Sequence, residues 1–203
     1  MWGCATRYFK ASLALIMLTI AILAAGASTA SATLLCKTSS CATPTSYAAG
    51  TALKASLAEG TQARLLTSVG KVECESSTIA GKTTAEAGKP LPLEVSGVTF
   101  GACTLGGEKC TATTTSLPTT PSLEAGGEGN GTLSLEGGEV NFVCSGWIEC
   151  TFKTPALQFK GGAPASLSAE EVALTKAGFL CPKTAKFDAT YTVSEPNPAY
   201  LVM

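Results

Sequence analysis

Apolar residues in this chain alternate, and the alternation is cut roughly every ten residues by Gly, Pro or Asn-Gly. Successive strand side chains point to opposite faces, so each run would bury one face and leave the other in water. TALKASL (51–57) shows the pattern, with Leu53, Ala55 and Leu57 on one face. Segments 62–76, 92–100, 131–137, 139–145, 149–155, 156–161 and 186–194 read the same way. Short strands at such spacing predict an all-β fold, an antiparallel β-sandwich, with a barrel or jelly roll as the alternative.

Two stretches depart from this rhythm. In SAEEVALTKAG (168–178), Ser168 and Glu171 have capping-box spacing, while the β-branched positions and the closing glycine favour the strand expected there. SLPTTPSLEAGGEGNG (116–131) is expected to be a long exposed loop. Asn130-Gly131-Thr132 is formally a glycosylation sequon, and an Asn-Gly turn is the expectation.

Residues 1–32 are of another kind: Arg7 and Lys10 precede an apolar run over 11–25, and small residues end in Ala30-Ser31-Ala32. That order predicts a secretory signal helix. An uncleaved anchor is the rival, because the run is almost long enough to span a bilayer; the A-x-A ending favours cleavage, with Thr33 starting a single secreted β domain over 33–203. Cys4 and Cys36 are wrongly placed for a lipid anchor, and SLPTTP lacks the glycine and apolar tail of a cell-wall sorting signal. No stable membrane insertion is expected after cleavage. The expected location is extracellular or loosely cell-surface associated.

Removal of Cys4 leaves Cys36, Cys41, Cys74, Cys103, Cys110, Cys144, Cys150 and Cys181. An even count in an exported chain predicts a disulfide framework. Zinc is the weaker alternative, since no C-x-x-C occurs. Cys36–Cys41, Cys103–Cys110 and Cys144–Cys150 are close in sequence, and the last two enclose Gly106-Gly107 and Ser145-Gly146, suited to turns. Elimination then pairs Cys74 with Cys181, a long loop worth about 4–5 kcal/mol by chain entropy. Trp147 is expected to pack at the base of a stapled turn.

Composition narrows the chemistry. The chain has no histidine, and Asp188 is its only aspartate. Ser-His-Asp and Cys-His hydrolases need an imidazole, zinc catalysis loses its usual ligands, and an aspartate-built calcium loop cannot be assembled. Without Arg7 and Lys10 the formal charge of −1 becomes −3. Scattered Lys and Arg offer no stripe for phosphates, so no nucleic-acid partner is expected. Neither a cofactor nor a metal is expected.

LLCK (34–37), YAAGT (47–51), KVEC (71–74), GACT (101–104), VCSGWIECTF (143–152), FLCP (179–182) and ATYTVSEPNPAYLV (189–202) occur in that order. The series resembles a family of cysteine-bearing proteins secreted by soil actinobacteria, over essentially all of 33–203. The resemblance implies an exported bacterial β-rich domain and brings no known activity.

Candidate sites are few. Glu73 with Glu75, and Glu170 with Glu171, are the concentrated carboxylates; a glycosidase needs two such groups across a scissile bond, and a solvated strand face is the plainer reading. Trp147 and Tyr191 read as core rather than sugar platforms. The apolar end NPAYLVM (197–203) closes the sheet or lies at an edge open to self-association. The expectation is a non-enzymatic extracellular or cell-surface protein for structure, adhesion or ligand binding, its partner a cell-surface glycan, a protein or a second copy. A secreted carboxylate-dependent glycosidase and a subunit assembling through its last strand are the alternatives.

Overall fold

In a computed structural model, the structure describes residues 31–41, 44–68, 70–145, 148–176, 182 and 185–203. Most of the expected signal helix, Trp147 and Cys181 therefore lie outside the described residues. Those described form strands, turns and connections, and none is helical.

Four long strands, numbered in chain order, organise the body: β4 (Gly70–Thr83), β6 (Leu91–Leu105), β13 (Ala165–Leu174) and β14 (Ala185–Glu195). Towards one end they are joined by β2 (Ala52–Leu57), β8 (Ser122–Gly127), β9 (Asn130–Ser134) and β12 (Leu157–Lys160). The order β6-β8-β9-β12-β13-β14-β2-β4 returns to β6, closing an eight-stranded antiparallel barrel. Towards the other end the same four strands carry β3 (Ala63–Thr67), β7 (Glu108–Ser116), β10 (Glu139–Cys144) and β11 (Ile148–Lys153). A bridge between Phe152 and Lys176, just beyond β13, brings β11 round to complete a second ring.

The sheet is thus a barrel, the alternative named from sequence, and the sandwich is corrected. Strands of 14 and 15 residues would run off a flat two-layer core. Here they curl, helped by register shifts at Ala80/Gly81, Ala169/Val172 and Val193/Glu195. Each shift adds local twist and bend, as β-bulges do. Gly81 belongs at the first because a Cβ there would run into the Glu94 carbonyl oxygen.

A small sheet, β15 (Tyr200–Val202), β1 (Thr33–Cys36) and β5 (Ala87–Gly88), packs against the first ring at β8. Leu35 and Leu201 are fully buried in it, and the buried Thr33 hydroxyl accepts the Ala125 N–H at 3.1 Å.

Most expected strands are present. Leu53, Ala55 and Leu57 do share the inward face, and 165–174 is a strand, with Glu171 at φ 48° in its bulge. The expected strand 62–76 is two, divided by a turn before Gly70 (φ 143°). The expected loop 116–131 is mostly sheet: Leu123 and Ala125 alternate inward from β8, and only 117–121 and a tight turn at Glu128-Gly129 lie outside strands. Its glycines hid that alternation. Strand β7 carries too few apolar residues to be recognised; pairing with β6 and β10 holds it, and the Thr114 hydroxyl donates to the Val98 carbonyl.

Candidate functional site: cysteine row, barrel interior and outer wall

Cys74, Cys103, Cys110 and Cys144 are successive register partners across β4, β6, β7 and β10, all buried. The bridges are Cys74–Cys103 and Cys110–Cys144, with Cα separations of 3.9 and 4.1 Å. The expected Cys103–Cys110 bond between two of these partners is absent. In an antiparallel sheet a residue that exchanges hydrogen bonds with one neighbour stands in the narrower, non-hydrogen-bonded pair with the other. Along such a row narrow and wide pairs alternate, and the bridges occupy the narrow ones.

The same register corrects the other expected pairings. Cys144 faces Ile148 across the β10–β11 hairpin and Cys150 faces Phe142, so Cys144 and Cys150 are not opposite each other. Cys74 is bonded to Cys103 rather than Cys181. Cys36–Cys41 is present as expected. Cys150 is buried on β11 and borders the same small cavity as Cys144.

The rest of the interior is packed. Leu91, Leu123, Leu133, Leu157, Phe159, Leu167 and Val193 fill the first ring. Phe100, Phe142, Phe152 and Phe187 fill the second, with centroids 5.9 to 6.5 Å apart in tilted or edge-on pairs. Between them Tyr191 and Ser77 share a buried 3.0 Å hydrogen bond, and burial pushes the Tyr191 hydroxyl up to about 12. Besides the cavity of about 20 Å³ bordered by Cys144 and Cys150, the described interior holds cavities of about 30 Å³ between the first-ring strands and beside Phe142 and Tyr191. Such a volume admits a water or two, whereas organic ligands occupy pockets of roughly 300–1,000 Å³. Side-chain packing thus occupies most of the described interior.

The carboxylates lie on the wall. Lys71 and Arg64 contact Glu73 at 2.8 and 3.4 Å, and Lys186 contacts Glu171 at 2.6 Å. The Lys71 hydrogen bond, aided by the Lys71 and Arg64 charges, holds the Glu73 carboxyl below the usual glutamate range. Lys186 does the same for Glu171. A glycosidase acid needs the opposite shift. Glu75 and Glu170 are exposed. The structure does not gather these four residues into a cleft.

The remaining sequence candidates have structural partners. The turn expected at Asn130-Gly131 falls instead at Glu128-Gly129; Asn130 and Gly131 open β9, and the Asn130 side-chain oxygen accepts the Gly161 N–H at 3.1 Å. The Tyr47 hydroxyl donates to the Pro198 carbonyl at 2.7 Å, and the Lys37 ammonium sits 5.4 Å from its ring centroid. The last strand is engaged on both sides: β15 pairs with β1, while Leu201 bridges Gly129 and Ala199 bridges Gly162. Among the described residues no three His, Cys, Asp or Glu side chains form a metal site, and no helix is long and apolar enough to cross a membrane.

These features define a class, an antiparallel β-barrel with a packed interior and a row of cross-strand disulfides. No protein-family model, curated protein or solved structure matches the chain.

Proposed function

We propose that this chain is an exported, non-enzymatic β-barrel of the cell surface or medium, acting through its outer wall in structure, adhesion or ligand binding. The observation that carries the reading is the interior: it is given over to packing and disulfides, which leaves recognition to the exterior. Cross-strand bridges suit an oxidising compartment, and the leader over 1–32 has the order of an export signal. The glycosidase alternative loses its support with Glu73, Glu75, Glu170 and Glu171 dispersed in surface ion pairs or solvent.

The test is fractionation of producing cells, intact mass and thiol alkylation, followed by incubation of the purified protein with isolated wall polysaccharide. The expected product begins at Thr33, is found outside the cytoplasm and leaves the polysaccharide intact. Full-length protein with reduced cysteines inside the cell would sink the export reading. Turnover of polysaccharide that disappears on Glu73→Gln or Glu171→Gln would sink the non-enzymatic one.

A further inference from the structure

The segment Thr111–Ser122, TATTTSLPTTPS, contains no charged residue and is dense in hydroxyls and proline. Its first half is strand β7, and its second half is the connection 117–121 into β8. The connection is anchored from below. Pro118 and Pro121 are buried, and the Thr119 and Thr120 amides both donate to the Glu136 carbonyl, at 3.0 and 3.5 Å. Proline also biases the residue before it towards extended backbone, which acts here on Leu117 and Thr120.

Between those anchors Thr119 and Thr120 are exposed, and neither hydroxyl has a hydrogen-bond partner among the described residues. Other threonines are used differently: the hydroxyls of Thr51, Thr61, Thr67, Thr83 and Thr154 donate to backbone carbonyls. Exposed Thr111 and Thr113 on β7 belong to backbone in register with Val143 and Asn141 of β10, whereas 117–121 lies outside the strands. A transferase that grips its acceptor as an extended segment can reach 117–121 far more readily than β7. Uncharged Ser/Thr-rich sequence with proline is the composition of O-glycosylated segments.

We propose that Thr119 and Thr120 form an O-glycosylation site for a phosphate-activated sugar donor met during export. The bond formed joins threonine Oγ1 to the anomeric carbon, and the bond broken joins that carbon to the donor's phosphate oxygen. The phosphate leaves with the bonding electrons, and the hydroxyl proton passes to a base of the transferase. No oxidation or reduction is involved. The site rests on the export reading above, because the donor and enzyme are encountered on that route.

The experiment is peptide mapping, with fragmentation that preserves sugar linkages, of the protein recovered from its own producing cells. Hexose-mass increments on Thr119 or Thr120, lost in the T119A/T120A variant and restored in T119S/T120S, are expected. A secreted chain that begins at Thr33 with 117–121 unmodified overturns the site and leaves export standing. Sugar retained elsewhere in T119A/T120A, with none on 119 or 120 in the unsubstituted protein, overturns it too. Unprocessed chain confined to the cytoplasm rejects both readings together. The first mapping uses unsubstituted protein, so the result does not depend on a variant folding.

Discussion

Tyr191 and Ser77 form a buried polar pair in the barrel interior, and each is the other's partner. Tyr191→Phe strands the serine hydroxyl and Ser77→Ala strands the phenol, so each change should destabilise by about 1–3 kcal/mol. The double variant should lose less than the sum of the two, as read from urea midpoints. The tyrosine also carries a pH signature. Its folded pKa is raised above the unfolded value near 10, so the neutral phenol's contribution is complete below pH 10 and fades as pH rises towards 12. Denaturation midpoints should fall over that window, and Tyr191→Phe should flatten this part of the fall. The wall glutamates behave oppositely. Side-chain carboxyl NMR should find Glu73 and Glu171 titrating below ordinary glutamates, and Lys71→Met and Lys186→Met should move them back up. The candidacy of these glutamates was legible as residue type alone; their lysine partners come from neighbouring strand positions and, for Glu171, from across a bulge.

At the scale of elements, the bridges should differ in weight with the loops they close. Cys110–Cys144 spans 34 residues and Cys36–Cys41 spans 5. Chain entropy puts the first near 4 kcal/mol and the second near 2. Paired Cys→Ser variants compared by chemical denaturation should preserve that order, and nonreducing peptide maps should recover Cys74–Cys103 and Cys110–Cys144. Strand positions were largely readable because alternation is a local property: β2, β10, β11, β12 and β14 are where Leu53, Phe142, Phe152, Phe159 and Phe187 predict them. Pairing was not, because it depends on which strands become neighbours and on the narrow-wide alternation between them. Cys103 and Cys110 illustrate this: they are sequence-close and opposite in register, yet each bonds a cysteine on its other side. Strand β7 fails differently, since its order comes from neighbours rather than from apolar residues of its own. Removing residues 199–203 withdraws the fully buried Ala199 and Leu201 and strips β1 of its β15 partner, leaving its short pairing with β5. Size-exclusion chromatography with thermal melting should show a less stable barrel, with no larger assembly converted to a smaller one.

Across the whole molecule, closure was beyond sequence because sandwich and barrel share one strand pattern; the register shifts along β4, β13 and β14 turn the sheet around, and of their residues only Gly81 is a visible marker. The four shared strands cross both rings, so neither ring can lose its pairing without exposing the other's core. Calorimetry should accordingly give one transition with matching calorimetric and van't Hoff enthalpies. The first and last strands of the body have a consequence of their own. Leu34 pairs with Val202, Leu35 with Leu201 and Cys36 with Tyr200, so the outermost pair joins the beginning of β1 to the end of β15. A pull on the start of β1 and the end of β15 would load that outermost pair before the next, so these two strands would part like a zipper, one pair at a time, with the Leu201–Gly129 bridge to the first ring loaded along the way.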